Sequence, residues 1–210
     1  QLVYTNKNIE VINCSMAAIN SYALLDMMPG IIEQNPDMIL IYAGHNEYYG
    51  ALGAGSLESL GNSRWLVNQM LAANKYKTVQ LLRNTIKTLM SVFESSNEKG
   101  GTLMSRMAND QMITLGSPVY KTGINQFAGN LEEMLQLAEG SNIPVIISDL
   151  TSNLKDQSPF VSIDDNEGNS AKSFYQKGIE ELNKNNNESA LNYFTKAKDL
   201  DALRFRAPSE

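Results

Sequence analysis

The chain has 210 residues, 42% of them hydrophobic, so it can bury one sizeable core with an appendage but is short for two full domains. Its net charge of -6, with scattered lysines and arginines, argues against a nucleic-acid surface, and its single cysteine excludes an internal disulfide and a multi-cysteine zinc site. No apolar run reaches the roughly 20 residues that cross a bilayer. Because the chain starts at Gln1 and stops at Glu210 without a closing element, we expect an excised piece of a longer protein.

The first part of the chain predicts a βαβ unit. Residues 9–13, Ile-Glu-Val-Ile-Asn, are predicted to form a first strand, and residues 21–34 have apolar side chains at helical spacing, with Pro29 expected to kink or divide the helix. Residues 35–37 break this helix before the apolar run 38–43, which is typical of a buried strand. A strand, a helix and a second strand in this order imply a parallel sheet with a right-handed crossover.

The middle of the chain predicts a helical insertion, then a further helix and strand. Residues 63–95 are helix formers with periodic apolar positions, and two helices divided near Asn74 would pack over one face as a candidate lid. Residues 95–101 are polar and end in glycines, as in an exposed loop. A helix over residues 124–140 leads into a third buried strand, residues 143–150.

The last part of the chain predicts a linker, residues 154–169, followed by a helical hairpin with helices over residues 170–183 and 188–199. Small and aromatic residues of the hairpin have the spacing of a tetratricopeptide repeat, in which small residues let two antiparallel helices approach. These residues are Phe174, Gly178, Ala190, Phe194 and Ala197. Because one repeat cannot bury a continuous core, the hairpin must pack on the main domain, on sequence outside the chain or on a partner. An ordinary structural hairpin is the other interpretation.

Polar residues follow the second and third predicted strands. The motif Gly-His-Asn-Glu occupies positions 44–47, Asp149 lies at the end of the third predicted strand, and Asn153 follows it. In open α/β sheets, ligands bind outside the carboxyl ends of the strands. Gly44 allows a sharp turn there, and Asn46 presents an uncharged amide donor of the kind that a developing oxyanion needs. For Asp149 and Asn153, turn and cap chemistry is the favoured interpretation.

The motif at 44–47 resembles the third sequence block, Gly-x-Asn-Asp, of the SGNH (GDSL-type) hydrolases. Residues 10–13 and the turn at 14–18 resemble the second block of that family, and Ala18 occupies the position of its usual glycine, whose N–H serves the oxyanion hole. A backbone donor survives this replacement if the local φ is negative. The hairpin and the residues Leu-Arg-Phe-Arg-Ala at 203–207 resemble a bacterial group of the family with an inserted tetratricopeptide hairpin.

The resemblance implies a three-layer α/β/α, flavodoxin-like (SGNH hydrolase-like) parallel sheet with an added helical hairpin. Residues 1–168 would form the incomplete α/β domain, including a helical insertion at about 62–95. Residues 169–203 would form the hairpin, and residues 204–210 a return segment. The family hydrolyses acyl or acetyl esters, carbohydrate esters among them, with a serine, a histidine and an aspartate and with no cofactor or metal. A location outside the cytoplasm is suggested by the resemblance alone.

The chain lacks the Gly-Asp-Ser and Asp-x-x-His blocks that carry the nucleophile and the base of this family. Its single histidine, His45, falls at the variable position of the third block. A pairing of Ser15 or Cys14 with His45 is disfavoured because the pattern fixes no orienting carboxylate. We therefore expect the chain alone to be inactive. Cys14, next to a predicted strand, is expected to be a buried small hydrophobe.

These patterns lead to one hypothesis and one alternative. In the hypothesis, the chain supplies half the active site of an SGNH-type esterase: Asn46 and the N–H of Ala18 stabilise the oxyanion, Gly44 shapes the turn, and further residues contact the substrate. The substrate-contacting residues are His45, Glu47, Ser15 and Asn153. Glu47 has a second interpretation, in which it caps a helix or braces the loop. In the alternative, the chain is a non-catalytic scaffold whose hairpin binds a peptide or protein partner.

Overall fold

The computed structural model describes residues 9–50, 52–55, 63–81, 84, 85, 88, 112–164 and 168–209. Its elements are α1 (Ser21–Ile32), β1 (Ile39–Ile41), α2 (Arg64–Asn74), α3 (Pro118–Gly140), β2 (Val145–Ile147), α4 (Ala171–Asn183) and α5 (Asn187–Asp199). Among these residues, no helix combines the length and the apolar character that a membrane span requires. The predicted loop 95–101 and much of the predicted insertion lie outside the described residues.

The strands β1 and β2 form a parallel pair in which Ile39, Leu40 and Ile41 lie opposite Val145, Ile146 and Ile147. One face of β1 is covered, because Ile39 and Ile41 pack in a core cluster with side chains of α1 and α3. Ile147, opposite Ile41 on the same face, is 47% exposed, so the prediction of a fully buried third strand is wrong. On the other face, Leu40 and its register partner Ile146 are exposed. The α/β class is therefore confirmed, with two layers in the described part of the chain.

The prediction of a strand at residues 9–13 is wrong. These residues have no regular secondary structure, and Val11 is 84% exposed. Within the described residues β1 pairs with β2 alone, so the expected βαβ unit with a first strand is not formed. A segment becomes a strand only where a neighbour takes its backbone hydrogen bonds, and no strand of the described residues pairs with residues 9–13. Cys14 is exposed for the same reason, which corrects its prediction as a buried residue.

The helices α1 and α3 end and begin at recognisable residues. Helix α1 continues through Pro29 and ends at Ile32, two residues before the predicted boundary. Three residues after this end, Asn35 adopts a left-handed φ of 50°. Helix α3 begins at Pro118, six residues earlier than predicted, because Ser117 accepts a hydrogen bond from the N–H of Tyr120 and Pro118 occupies the first turn. The Ser-Pro pair at 117–118 is the sequence pattern that could have predicted this start, and the prediction did not use it. The division of the insertion near Asn74 agrees with the end of α2.

The helical hairpin, α4 and α5, has the predicted boundaries to within one residue. Helix α4 begins after Ser170, whose side chain accepts a hydrogen bond from the N–H of Ser173. The two helices approach closely at Gly178, where an added Cβ would lie 2.7 Å from the ring of Phe194. Ala190 and Ala197 are buried on the same side of α5 as Phe194. The small residues therefore do what their spacing predicts.

The hairpin packs on the main body through the segment that follows α5. The carboxylate of Asp201 accepts hydrogen bonds from the N–H groups of Phe160, Val161 and Leu203 and from the guanidinium of Arg206. Asp201 is 2% exposed, so these donors replace the water that an ionised carboxylate would otherwise bind. The carboxylate of Asp201 therefore joins the linker to the return segment through hydrogen bonds.

A buried arginine extends this attachment to the sheet and to α3. Arg204 donates from Nε to the carbonyl of Ile113 at 2.8 Å, and its guanidinium lies 5.3 Å from the ring centre of Tyr120. Its N–H donates to the hydroxyl of Tyr49, which follows β1. Burial lowers the pKa of Arg204 from its ordinary value. Of the three expected ways to support a single hairpin, the structure uses packing on the main domain.

We expect Asp201→Ala to lower the free energy of unfolding by about 3–5 kcal/mol, because it leaves a buried guanidinium and three backbone N–H groups without their acceptor. Urea unfolding followed by circular dichroism measures this change. Asp156→Ala, at an exposed position, should change the same free energy by less than about 0.5 kcal/mol. Equal effects of the two substitutions would contradict the attachment role of Asp201.

Candidate functional site

The turn after β1 is built on Gly44. Its φ is +141°, a conformation that side-chain-bearing residues rarely adopt, and an added Cβ would lie 2.6 Å from Cδ1 of Leu150. The N–H of Glu47 then donates to the carbonyl of Gly44, and the N–H of Gly50 donates to the carbonyl of Asn46. The chain therefore turns sharply at the carboxyl end of β1, as the sequence predicts for Gly44.

Asn46 lies within this turn and is half-buried. Its side-chain amide makes no hydrogen bond with a described residue, although its carbonyl holds the turn. A half-buried amide whose two donors are unused by the described residues is available to a ligand at the strand end. The geometry is thus compatible with the donor role expected of Asn46.

A cluster of polar side chains lies beside this turn, at the same edge of the sheet. The hydroxyl of Tyr42 lies 3.5 Å from Nε2 of His45 and 3.2 Å from Oγ1 of Thr151, which follows β2. The rings of Tyr42 and His45 make an edge contact with centroids 6.0 Å apart. Residues that follow both strands therefore meet here, and the half-buried His45 lies at the rim of the edge.

Ala18 has a φ of +60°, in the left-handed region that favours glycine. The condition under which the backbone donor would survive the replacement of glycine by Ala18, a negative φ, is therefore not met. The conformation is the one that glycine adopts most easily, and Ala18 is exposed.

The structure does not join Ser15 or Cys14 to His45. Both residues are exposed, and the N–H of Ser15 donates to the side chain of its neighbour Asn13. Among the described residues, the ring contact of His45 is with Tyr42. The disfavoured nucleophile and base pair is therefore not assembled in this structure.

Asn153 is exposed, and its side-chain oxygen accepts a hydrogen bond from the N–H of Asp156 at 2.9 Å. This is the turn chemistry that the sequence favours for Asn153. Asp149 is also exposed at the end of β2. In the part of the chain that the structure describes, no cluster of three or more His, Cys, Asp or Glu residues is arranged to hold a metal ion.

Glu47 lies in the interior, 4% exposed, rather than at the rim of the edge. Its Oε2 accepts a hydrogen bond from the N–H of Ser21 at 2.9 Å, and its Oε1 accepts one from the hydroxyl of Ser21 at 2.6 Å. Because Ser21 is the first residue of α1, these bonds confirm the interpretation that Glu47 caps a helix. Burial raises the pKa of Glu47 above its ordinary value, an effect larger than the opposing effect of the two hydrogen bonds.

A chain of hydrogen bonds continues from Glu47 into the core. The hydroxyl of Ser21 accepts a bond from Nδ2 of Asn130 at 2.8 Å, and Oδ1 of Asn130 accepts one from Nε of Arg64 at 2.8 Å. The guanidinium of Arg64 also pairs with Glu133 at the surface. Beside this chain, burial raises the pKa of Tyr22 to about 12.

Ser21, Asn130 and Arg64 are not among the residues predicted for the site. One pattern could have found Asn130, which lies on the buried stripe of α3 that also carries Met134 and Ala138. A polar residue on an otherwise apolar helical stripe requires a buried partner. No local pattern points to Ser21 or Arg64, because each is an ordinary helix-terminal residue in the sequence.

The chain was compared with family models, with curated proteins and with solved structures, and none of the three comparisons found a match. The geometry at the carboxyl ends of β1 and β2 therefore carries the functional argument.

We expect Ala18→Gly to raise the free energy of unfolding by about 1 kcal/mol, because glycine adopts a φ of +60° without the strain that alanine has there. Thermal unfolding should show a melting temperature higher by roughly 2–4 °C. Ala128→Gly, at an exposed position inside α3, should have the opposite effect and cost about 0.5–1 kcal/mol. A loss of stability in Ala18→Gly would show that the left-handed conformation is not adopted.

We also expect Glu47 to make stability depend on pH. Its folded pKa lies above the ordinary value of 4.5, so the unfolded chain releases the Glu47 proton first as the pH rises. The contribution of Glu47 to the free energy of unfolding is therefore full below pH 4.5 and is lost as the pH rises through the folded pKa. Glu47→Gln cannot titrate and should lack this loss.

The measurement is the difference in unfolding free energy between Glu47→Gln and the unmodified protein, taken by urea unfolding at several pH values. The difference should move in favour of Glu47→Gln as the pH rises above 4.5 and then level off. Glu139→Gln, at an exposed position of α3, serves as the control for loss of one carboxylate. A difference that moves the other way would mean that Glu47 is stabilised in its ionised form.

Proposed function

We propose that this chain is part of an SGNH-type serine hydrolase acting on acyl or acetyl esters, and that it contributes the oxyanion hole. The observation that carries the proposal is the half-buried amide of Asn46, which has no described hydrogen-bond partner and follows Gly44 at the carboxyl end of a parallel strand. An amide in this position can donate to an oxygen on a bound substrate without giving up an existing bond.

The proposed chemistry is acyl transfer. A serine attacks the ester carbonyl carbon, and the carbonyl π electrons move to the oxygen, which becomes an oxyanion in the tetrahedral intermediate. Collapse of the intermediate expels the alcohol, which takes the proton that the histidine base removed from the serine. The nucleophile and the base belong to blocks that this sequence does not contain, so they would come from a longer chain, here called the parent protein. Asn46 and the N–H of Ala18 would donate to the oxyanion.

Ala18 does not meet the negative-φ condition for its donor role, since its φ is +60°, but its strained backbone is consistent with a position in a functional site. A left-handed alanine stores about 1–2 kcal/mol of strain, and such strain persists where the surrounding structure requires one backbone geometry. Functional sites are where residues of this kind concentrate. The position of Ala18 is also the one at which the resemblance expects the second oxyanion donor.

The exposed face of the sheet supports the finer proposal of a flavodoxin-like, three-layer fold. Leu40 is 68% exposed and Ile146 is 48% exposed, and apolar side chains in this position gain roughly 25 cal/mol per Å² when they are covered. In a doubly wound sheet, helices cover both faces. We propose that the parent protein supplies the helices of the second face.

We expect Asn46→Ala in the parent protein to lower kcat by roughly 10²–10³-fold, the usual cost of removing one oxyanion donor. Release of p-nitrophenol from p-nitrophenyl acetate measures the rate. The KM should change little, because the bond to the oxyanion is made only in the transition state. Thermal unfolding should be unaffected, since the amide of Asn46 supports no described residue.

Asn192→Ala, at an exposed position of α5, is the matched control and should leave kcat unchanged. The proposal fails if Asn46→Ala hydrolyses the ester as fast as the unmodified parent protein. The chain alone should release no p-nitrophenol. Rapid hydrolysis by the chain alone that is abolished in His45→Ala would instead assign His45 as the base.

A second proposal is the non-catalytic scaffold, in which the hairpin binds a peptide or protein. The observation in its favour is a half-buried aromatic pair, Phe174 and Tyr193, with ring centroids 6.1 Å apart. Nζ of Lys177 and Nζ of Lys196 lie 5.0 and 5.7 Å from the centre of the Phe174 ring. A Gly-Asp-Ser block upstream and an Asp-x-x-His block downstream in the parent protein would favour the enzyme, and their absence would favour the scaffold.

A further inference from the structure

The hydrogen-bonded chain that ends at Glu47 crosses four parts of the structure. Glu47 belongs to the turn after β1, Ser21 to the start of α1, Asn130 to the middle of α3, and Arg64 to the start of α2. Ser21 is 1% exposed and Asn130 is fully buried. This hydrogen-bonded chain therefore runs through the interior. Its Glu47 end lies at the candidate site, and its Arg64 end lies at the surface.

Every bond in this chain donates in the same direction. Nε of Arg64 donates to Asn130, Nδ2 of Asn130 donates to Ser21, and the hydroxyl of Ser21 donates to Glu47. A cation thus begins the chain and a carboxylate ends it. Hydrogen bonds aligned in this way polarise one another in a medium of low dielectric constant. The hydroxyl and the amide have one orientation each that satisfies both neighbours, so the chain permits a single geometry.

The bonds of Glu47 also restrict the backbone of Asn46, which precedes Glu47 in the sequence. Both carboxylate oxygens of Glu47 are held by Ser21, and the N–H of Glu47 is bonded to the carbonyl of Gly44. The backbone on the carboxyl side of Asn46 is therefore immobilised at its side chain and at its N–H. The side-chain amide of Asn46 has no described bond of its own, so the fixed backbone of the turn is what sets the position from which this amide extends.

We infer that Ser21, Asn130 and Arg64 are positioning residues for the Asn46 amide, and that the position of α2 controls the candidate oxyanion hole through them. This inference rests on the proposed function for its catalytic meaning, although the positioning itself does not. Arg64 is the first residue of α2, and 31% of its side chain is exposed. A movement of α2 that withdraws Arg64 leaves Oδ1 of Asn130 without its donor. The hydrogen-bonded chain then loses the bond at its surface end.

The first experiment is nuclear magnetic resonance spectroscopy of the 210-residue protein by itself. The side-chain amide signals of Asn46 are assigned by their loss in Asn46→Ala, and the ring signals of His45 are identified at once because it is the single histidine. Ser21→Ala and Arg64→Gln should both move the Asn46 amide signals along the same line, because each breaks the same chain at a different point. Circular dichroism checks that both variants are folded.

Glu133→Gln is the matched control. It removes the carboxylate that pairs with Arg64 at the surface but leaves the bond from Arg64 to Asn130. The Asn46 signals should stay in place in this variant. Arg64→Gln keeps the experiment informative if Ser21→Ala does not fold, since the Arg64 side chain is partly exposed. Unmoved Asn46 signals in a folded Arg64→Gln would overturn the inference.

The second experiment measures ester hydrolysis by the parent protein carrying Ser21→Ala or Arg64→Gln. We expect kcat to fall on the order of tenfold to a hundredfold with KM unchanged, the effect of a misplaced donor rather than of weaker substrate binding. A fall in kcat equal to that of Glu133→Gln would contradict positioning. If the parent protein shows no hydrolysis while the Asn46 signals move, the proposed function fails and the positioning inference stands.

Discussion

A charge that is removed from water needs partners at fixed distances, and the architecture of this protein depends on how Asp201 meets that requirement. Its carboxylate binds two N–H groups of the linker, one N–H of its own segment and the guanidinium of Arg206. Arg206 in turn donates to the carbonyl of Gln157. Because an unpaired carboxylate in this position costs several kcal/mol, the hairpin, the linker and the return segment have one arrangement in which the charge is satisfied.

The same rule operates at the candidate site with a different outcome. Glu47 is as buried as Asp201, but the bonds to its carboxylate come from a single serine, and the nearest cation in its chain, Arg64, is separated from it by Ser21 and Asn130. Its compensation is therefore distributed over α1, α2 and α3. The turn that these bonds hold also contains Asn46, whose amide has no hydrogen bond with a described residue. A carboxylate with both oxygens bonded, Glu47, and an amide available to a ligand, Asn46, are therefore neighbours in the sequence.

The elements that could be predicted from the sequence are those with local causes. The hairpin was predicted to within one residue because its small residues, aromatic residues and Ser170 cap lie within a few turns of one another. The turn at Gly44 was predicted for the same reason. The strand at 9–13 was predicted wrongly, since strand formation depends on a partner that local apolar character does not reveal. The left-handed Ala18 was missed because alanine carries no local preference for a positive φ.

By itself, the sequence determined the α/β class, the hairpin, the two described strands and the polar turn that ends at Glu47. The tertiary structure alone decided which partners the buried polar groups have. Ser21 and Glu47 are 26 residues apart, Arg64 and Asn130 are 66 apart, and Ser21 and Asn130 are 109 apart. Periodicity and turn chemistry act over a few residues, whereas a buried carboxylate or amide takes whichever donor the packed helices bring within about 3 Å. The identity of that donor is a property of the fold.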